Sequence, residues 1–164
     1  MADKVLTKLI EHNNWANLEM VRACSELDGE QLDAVVGPVA KRSMREELLH
    51  LVDAQEDYLA FLTLPPGARA RTPPTFAELE ESVRSSGARL LRLAQGEDPA
   101  LLQESIHDEG YRFEPWVLMV QAINHATEHR RQIAGLMRAI GASPPQLDGW
   151  AYGETRGAVV GPTE

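Results

Sequence analysis

Four long segments of the chain carry apolar residues at the three- and four-residue spacing of an amphipathic helix. Asp3 is the predicted N-cap of the first segment. The predicted helices cover about residues 3–28, 43–63, 75–95 and 115–140. Helices of this size are about 30 to 40 Å long, and each has an apolar face that must be buried. Four such helices of matching length predict an all-α fold, a four-helix bundle with long crossover connections.

Residues that start and stop helices lie at the ends of these segments. Ser43 and Glu46 have the spacing of a capping box, in which the hydroxyl and the carboxylate each accept a hydrogen bond from a backbone amide. Thr75 and Glu78 repeat this spacing, and Pro115 suits a first helical position. Glycines after three of the segments predict left-handed C-terminal caps, at Gly29, Gly96 and Gly141.

The composition also favours helices over strands. The chain has 20 Ala and 20 Leu but only 16 Val and Ile together. Ala and Leu prefer helices, whereas Val and Ile prefer strands. A length of 164 residues predicts one domain, residues 1–164. The connection over 97–114 is long for a loop without structure, so we expect a small hairpin around residues 108–110.

The net charge indicates which classes of partner are unfavourable, and the cysteine content indicates the cellular compartment. The formal net charge is -9, which repels a phosphate backbone and argues against nucleic acid and anionic membranes as partners. Cys24 is the single cysteine, which excludes an internal disulfide and is typical of a reducing compartment. No signal-peptide core or membrane-spanning apolar stretch is visible. We therefore expect a cytoplasmic protein whose substrate is a small molecule.

Two histidines interrupt the apolar face of the fourth predicted helix. His125 and His129 occupy positions in the stripe where core residues would otherwise lie, so both side chains are expected to point inward. Residues four apart are neighbours on a helix, and imidazole is a common ligand of zinc, nickel and iron. The pair can therefore hold one metal ion, provided that another helix supplies a further ligand.

His50 on the second predicted helix is the candidate for that ligand. By periodicity it lies about 140° from the centre of the apolar stripe, which places it near solvent. A helix in a bundle contacts two neighbours, however, and Glu47, Ala54 and Phe61 flank His50 on a second strip that can face another helix. The pattern leaves both positions open.

Other catalytic arrangements fit the same residues less well. Glu47 and His50 have the spacing of a di-iron carboxylate bundle, but such a site needs a second copy on a facing helix, and the residues three before His125 and His129 are Ala122 and Ala126. The stretch from His125 to His129 also matches the inverted zinc-protease motif, with Glu128 as general base, yet Glu128 is expected on the solvated flank of the helix. Cys24 lies in a core stripe, where a buried and inert thiol is expected.

The chain resembles the DinB-like, YfiT-like family of metal-binding four-helix bundles. The matching segments follow one another in the family's order and read HNNWAN (12–17), SMREELLHLVDA (43–54), PW (115–116) and NHATEHRRQI (124–133), followed by Gly141. In this family three histidines bind one divalent metal ion, one from the second helix and two from the fourth. The resemblance assigns these roles to His50, His125 and His129. Gln55 departs from the family, in which glutamate is frequent at this place.

The resemblance also implies an activity. Family members include thiol-dependent S-transferases and isomerases that use a low-molecular-weight thiol, and homodimers are expected. We therefore expect a divalent transition metal (Zn, Ni or Fe), a thiol cosubstrate, and transfer of the thiol to an electrophile or hydrolysis of a small substrate. The alternative is a non-catalytic, dimeric interaction protein in which the metal is structural.

The expected donor set explains how such a site would work. Three neutral imidazoles leave at least one coordination position open, as in catalytic rather than structural metal sites. The nucleophile would then be a metal-bound water or thiolate, with no side chain assigned to that role. Polar residues of the first helix are candidate hydrogen-bond partners that orient the imidazoles, at His12, Asn13, Asn14 and Asn17.

Overall fold

The computed structural model describes residues 4–36, 41–97, 105–159 and 161. Its helices are α1 (Lys4–Ser25), α2 (Gly29–Asp33), α3 (Met44–Thr63), α4 (Leu79–Gln95), α5 (Pro115–Ala139) and α6 (Gly149–Thr155). Its strands are β1 (Ile106–Asp108) and β2 (Tyr111–Phe113). The long helices α1, α3, α4 and α5 pack on one another, with α1 against α4 and α5, and α3 against α4 and α5. The predicted all-α bundle is confirmed.

The predicted start of α3 agrees with the structure to within one residue. Ser43 is the N-cap; its Oγ accepts a hydrogen bond from the Glu46 amide at 3.2 Å, and its own amide donates to Glu46 Oε2 at 2.8 Å. Pro115 is the first residue of α5, as predicted. The Thr75–Glu78 box is also present, but the turn that it caps, 76–78, is a 3-10 turn that leads into α4.

The first predicted helix ends earlier than expected. The structure ends α1 at Ser25 instead of residue 28, and Gly29 is not a left-handed cap but the first residue of α2. The physical reason is a capping box: Asp28 Oδ1 accepts from the Gln31 amide at 2.8 Å, so the chain begins a new helix there. The predicted caps at Gly96 and Gly141 are correct, with φ of 70° and 81°. The predicted N-cap Asp3 lies outside the described residues.

A β-hairpin lies between α4 and α5, and the short helix α6 follows α5. The expected hairpin is present: β1 pairs with β2, and the turn residues Glu109 and Gly110 both have positive φ, as in a two-residue type I′ turn. Helix α6 was not predicted, because a seven-residue helix is too short to show periodicity. Asp148 caps it by accepting a hydrogen bond from the Ala151 amide at 2.9 Å. The buried Tyr152 packs α6 against α1 through the Trp15 ring.

The bundle core consists of two apolar clusters. One contains Met20, Leu48, Leu51 and Ile133, and the other contains residues nearer the opposite end, such as Ile10, Leu59, Leu90 and Met119. None of the described helices combines the length and the apolar character that crossing a bilayer requires.

Buried polar side chains from all four long helices are linked by hydrogen bonds inside the bundle, and we call this group the polar layer. Its members are Asn13, Asn17, Gln55, Ser86 and Arg130, each no more than 6% exposed. Arg130 Nη1 donates to Asn13 Oδ1 at 2.8 Å and to Asn17 Oδ1, and its Nη2 donates to Thr127 Oγ1 at 3.0 Å. Burial without a carboxylate lowers the pKa of Arg130 to about 10.

Gln55 connects the remaining helices of the polar layer. Its Oε1 accepts from Asn17 Nδ2 at 2.7 Å, while its Nε2 donates to Ser86 Oγ at 2.7 Å and to the Val83 carbonyl at 3.2 Å. These bonds join α1, α3 and α4. A glutamate at this position cannot donate to the Val83 carbonyl, so the departure from the resembled family has a structural role here.

Replacement of Arg130 by Met should lower the free energy of unfolding by about 2 to 4 kcal/mol, because the amide oxygens of Asn13 and Asn17 would remain buried without donors. Arg130→Lys should fall between Met and wild type, since an ammonium lacks the planar fork that reaches several acceptors. Denaturant unfolding in the presence of a chelator measures this. The control is Arg138→Met, at an exposed position of α5, which should change stability little. An Arg130→Met variant as stable as wild type would contradict the assigned role.

Candidate metal centre

Three histidines from two helices meet at the face between α3 and α5. One ligand nitrogen from each of His50, His125 and His129 lies within 4.8 Å of the other two. The ring centroids are 4.3 Å apart for the pair on α5, and 4.5 and 5.1 Å from His50 to His129 and His125. The two α5 rings are neighbours because they are four residues apart. The packing of α3 on α5 brings in the third ring.

The position of His50 shows which face of α3 the metal centre uses. The apolar stripe of α3 faces the core, and a second strip with the buried Glu47 and Ala54 faces α5. His50 is partly buried on this second strip. Of the two positions that the pattern left open, the structure has the second, because α3 contacts several helices rather than one.

Glu47 holds His129 in place. Its Oε2 lies 2.6 Å from His129 Nδ1, and both side chains are buried. A carboxylate only accepts, so Nδ1 carries a proton and donates, and in the neutral ring Nε2 then keeps its lone pair. This is the arrangement in which a carboxylate orients a metal-binding imidazole. Glu47 was predicted to flank His50 on the same strip, without this role; its position one turn before His50 was the available signal.

His125 has a polar atom without a partner. Its Nε2 is buried and has no hydrogen bond within the described part of the chain. Burial, together with the nearby His129 and His50, lowers the pKa of His125 to about 4. Burial also lowers the pKa of His50, with smaller contributions from His129 and Arg42. Both imidazoles are therefore held in the neutral form, which is the form that binds a metal ion.

These residues fit a divalent transition metal. The donor set is three imidazoles, one of which is oriented by a carboxylate and one of which has an orphaned buried nitrogen. Imidazole nitrogen is a common donor to zinc, nickel and iron, so His50, His125 and His129 would hold such an ion.

A cleft of about 760 Å³ opens beside His129. Its lining includes Glu47 and His129 on the side of the metal centre, and Lys41, Arg42 and Arg131 elsewhere on its wall. Its volume is in the range of pockets that hold small molecules. The cleft gives such a molecule access to His129, the member of the three that lines it.

The four residues of α1 that were expected to orient the imidazoles have other partners. His12 Nε2 donates to the Leu147 carbonyl at 2.8 Å, next to α6. Asn13 and Asn17 belong to the polar layer, where both accept from Arg130. None of these hydrogen bonds reaches an imidazole of the cluster, and the carboxylate that accepts from His129 belongs to Glu47 of α3.

Asn14 is also engaged away from the metal centre. Its Nδ2 donates to the Gly87 carbonyl of α4 at 2.7 Å. A Cβ at position 87 would lie 2.9 Å from Asn14 Cγ, so the absence of a side chain on Gly87 permits this close approach of α1 and α4.

The structure also bears on the rival arrangements. Glu128 is exposed and pairs with Arg131 at 3.0 Å, on the solvated flank where it was predicted and away from the three rings. Cys24 is fully buried, and burial raises the pKa of its thiol to about 12, so it is not a nucleophile. Neither a protease base nor a cysteine nucleophile is present at these positions.

Comparison with known families agrees with this geometry. A model of the DinB family matches residues 1–158 of the chain. A search of curated proteins found no match. The matched region includes all three clustered histidines and the helices that carry them. The chain belongs to the DinB family.

Proposed function

We propose that His50, His125 and His129 hold one divalent transition metal ion and that the protein is a metal-dependent enzyme for small molecules. The observation that carries the proposal is the convergence of three ring nitrogens, one of them buried and without a hydrogen bond, beside an open cleft. A buried polar nitrogen without a partner costs free energy. A bound cation supplies the missing partner.

The reaction proposed is transfer of a low-molecular-weight thiol to an electrophile, with hydrolysis of a small substrate as the second form. When bound, the ion supplies Lewis-acid chemistry and lowers the pKa of a thiol or water that reaches it. Glu47 fixes the ring and tautomer of His129, and the cleft admits the substrate. Depressed pKa values keep His50 and His125 from protonating and repelling the cation. A homodimer remains an expectation, which light scattering after size exclusion would test.

Metal content is the first test. Tag-free wild-type protein should bind one equivalent of Zn, Ni or Fe, measured by elemental analysis after reconstitution and dialysis. His50→Ala, His125→Ala and His129→Ala should each lose stoichiometric binding, because two imidazoles hold such an ion far more weakly than three. The control His107→Ala changes an exposed histidine of β1 and should retain the metal. Less than about a tenth of an equivalent in reconstituted wild type would end the proposal.

Glu47→Gln separates the charge of the carboxylate from its shape. The amide oxygen can still accept from His129 Nδ1, but the ring becomes less basic, so metal affinity should fall about tenfold. Glu47→Ala removes the acceptor and should weaken binding further, toward about a hundredfold. Competition with a chromogenic chelator measures both affinities. Glu81→Gln, an exposed carboxylate of α4, is the control; equal affinities for all four proteins would contradict the role of Glu47.

Turnover distinguishes the enzyme from the alternative of a structural metal that ties α3 to α5. Both functions predict a melting temperature that falls when a chelator removes the metal. Only the enzyme also consumes thiol in the presence of an electrophile such as monobromobimane, at a rate that the histidine variants abolish and His107→Ala preserves. Strong stabilisation by metal without turnover across a panel of thiols and electrophiles would favour the structural alternative.

A further inference from the structure

The cleft beside the metal centre has an unusual local charge. Lys41, Arg42 and Arg131 line it, and its anionic lining residue is Glu47. The chain as a whole has a net charge of -9. A cluster of three cations on the wall of one cleft is therefore opposite in sign to the rest of the molecule.

The nearby carboxylates do not cancel this charge. Glu47 accepts a hydrogen bond from His129, and its Oε1 lies 4.0 Å from Arg42 Nη1, at the outer limit of an ion pair. Glu128, which is not part of the lining, pairs with Arg131. Counting both carboxylates against three cations leaves an excess positive charge. Lys41 has no ion pair among the described residues.

The fold fixes the backbone that carries two of these cations. Arg42 directly precedes the N-cap Ser43, so the capping box that starts α3 also fixes the backbone beside it. Arg131 follows His129 by two residues on α5, and Gln132 lies on the same wall. A negatively charged group in the cleft would thus lie beside His129 and within the field of a cation held by the three rings.

We propose that this cleft binds the anionic group of a small-molecule substrate, a carboxylate or a phosphate, through Lys41, Arg42 and Arg131, and so directs the rest of the molecule toward the three histidines. The proposal rests on the function proposed above for those histidines. Guanidinium and ammonium groups are the usual partners of both kinds of anion, through charge-assisted hydrogen bonds. A volume of about 760 Å³ suits a small molecule.

Metal-free protein tests the anion site by itself. Succinate and inorganic phosphate, titrated separately and followed by two-dimensional NMR of ¹⁵N-labelled protein, should shift the amides around residues 41–47 and 131–136. The comparison of the two anions shows which kind the cleft prefers. The shifts should disappear in the triple variant Lys41→Gln/Arg42→Gln/Arg131→Gln. They should persist in Arg89→Gln/Arg112→Gln/Arg138→Gln, which removes the same total charge at exposed positions outside the cleft.

Cobalt-loaded protein tests whether the anion site acts together with the metal. Mercaptosuccinate, 3-mercaptopropionate and mercaptoethanol carry two, one and no carboxylates, and thiolate–cobalt charge-transfer absorption reports binding of each. Wild type should bind the dicarboxylate about tenfold more tightly than mercaptoethanol. The cleft triple variant should lose that difference while its affinity for mercaptoethanol stays the same. Added salt should reduce the preference.

The outcomes separate this proposal from the function on which it rests. Normal metal loading and thiol binding without any preference for carboxylates, together with no anion shifts in the metal-free protein, overturns the cleft proposal alone. Failure to load metal overturns the proposed function, and the NMR titration then still tests the cleft. Equal losses in the cleft and control triple variants would show a general charge effect, which also overturns the proposal.

Discussion

The orientation of α5 depends on Arg130, a buried cation that no carboxylate neutralises among the described residues. The side chain is held by amide oxygens of α1 and by a hydroxyl of its own helix. Adjacent residues on a helix point about 100° apart. With Arg130 directed into the polar layer, His129 must point toward α3, where Glu47 accepts a hydrogen bond from its Nδ1. His125, one turn earlier, is directed to the same face. Anchoring one arginine in the bundle thus sets the direction of both histidines on α5.

The polar layer and the three histidines form separate hydrogen-bonded groups in the bundle. Asn13, Asn17 and Gln55 satisfy one another and Arg130 inside the four helices, and none of them is needed at the imidazoles. The metal centre takes its supporting carboxylate from α3, the same helix that supplies His50. The second strip of α3 therefore packs on α5 and carries both His50 and Glu47, and Glu47 also lines the cleft.

Short-range signals in the sequence were enough for the helix starts and for the pair on α5. The capping box of Ser43 and the i,i+4 spacing of His125 and His129 are local, so a pattern reveals them. The position of His50 could not be decided from the apolar stripe of α3 alone, because it depends on which helices α3 contacts. Glu47 and Arg130 escaped notice in their actual roles, because charged residues are usually exposed and only tertiary partners explain their burial. Helix α6 was missed because its stability comes from packing Tyr152 on α1 rather than from periodicity.

The burial of Cys24 has a consequence for the chemistry that the native fold can undergo. The chain's single sulfhydryl lies inside one apolar cluster, fully shielded and with a raised pKa. Oxidants and alkylating agents that enter the cleft meet no sulfur belonging to the protein itself. Burial thereby keeps this thiol from forming mixed disulfides and from being alkylated, and thiol chemistry observed with the native fold must be that of an added reagent.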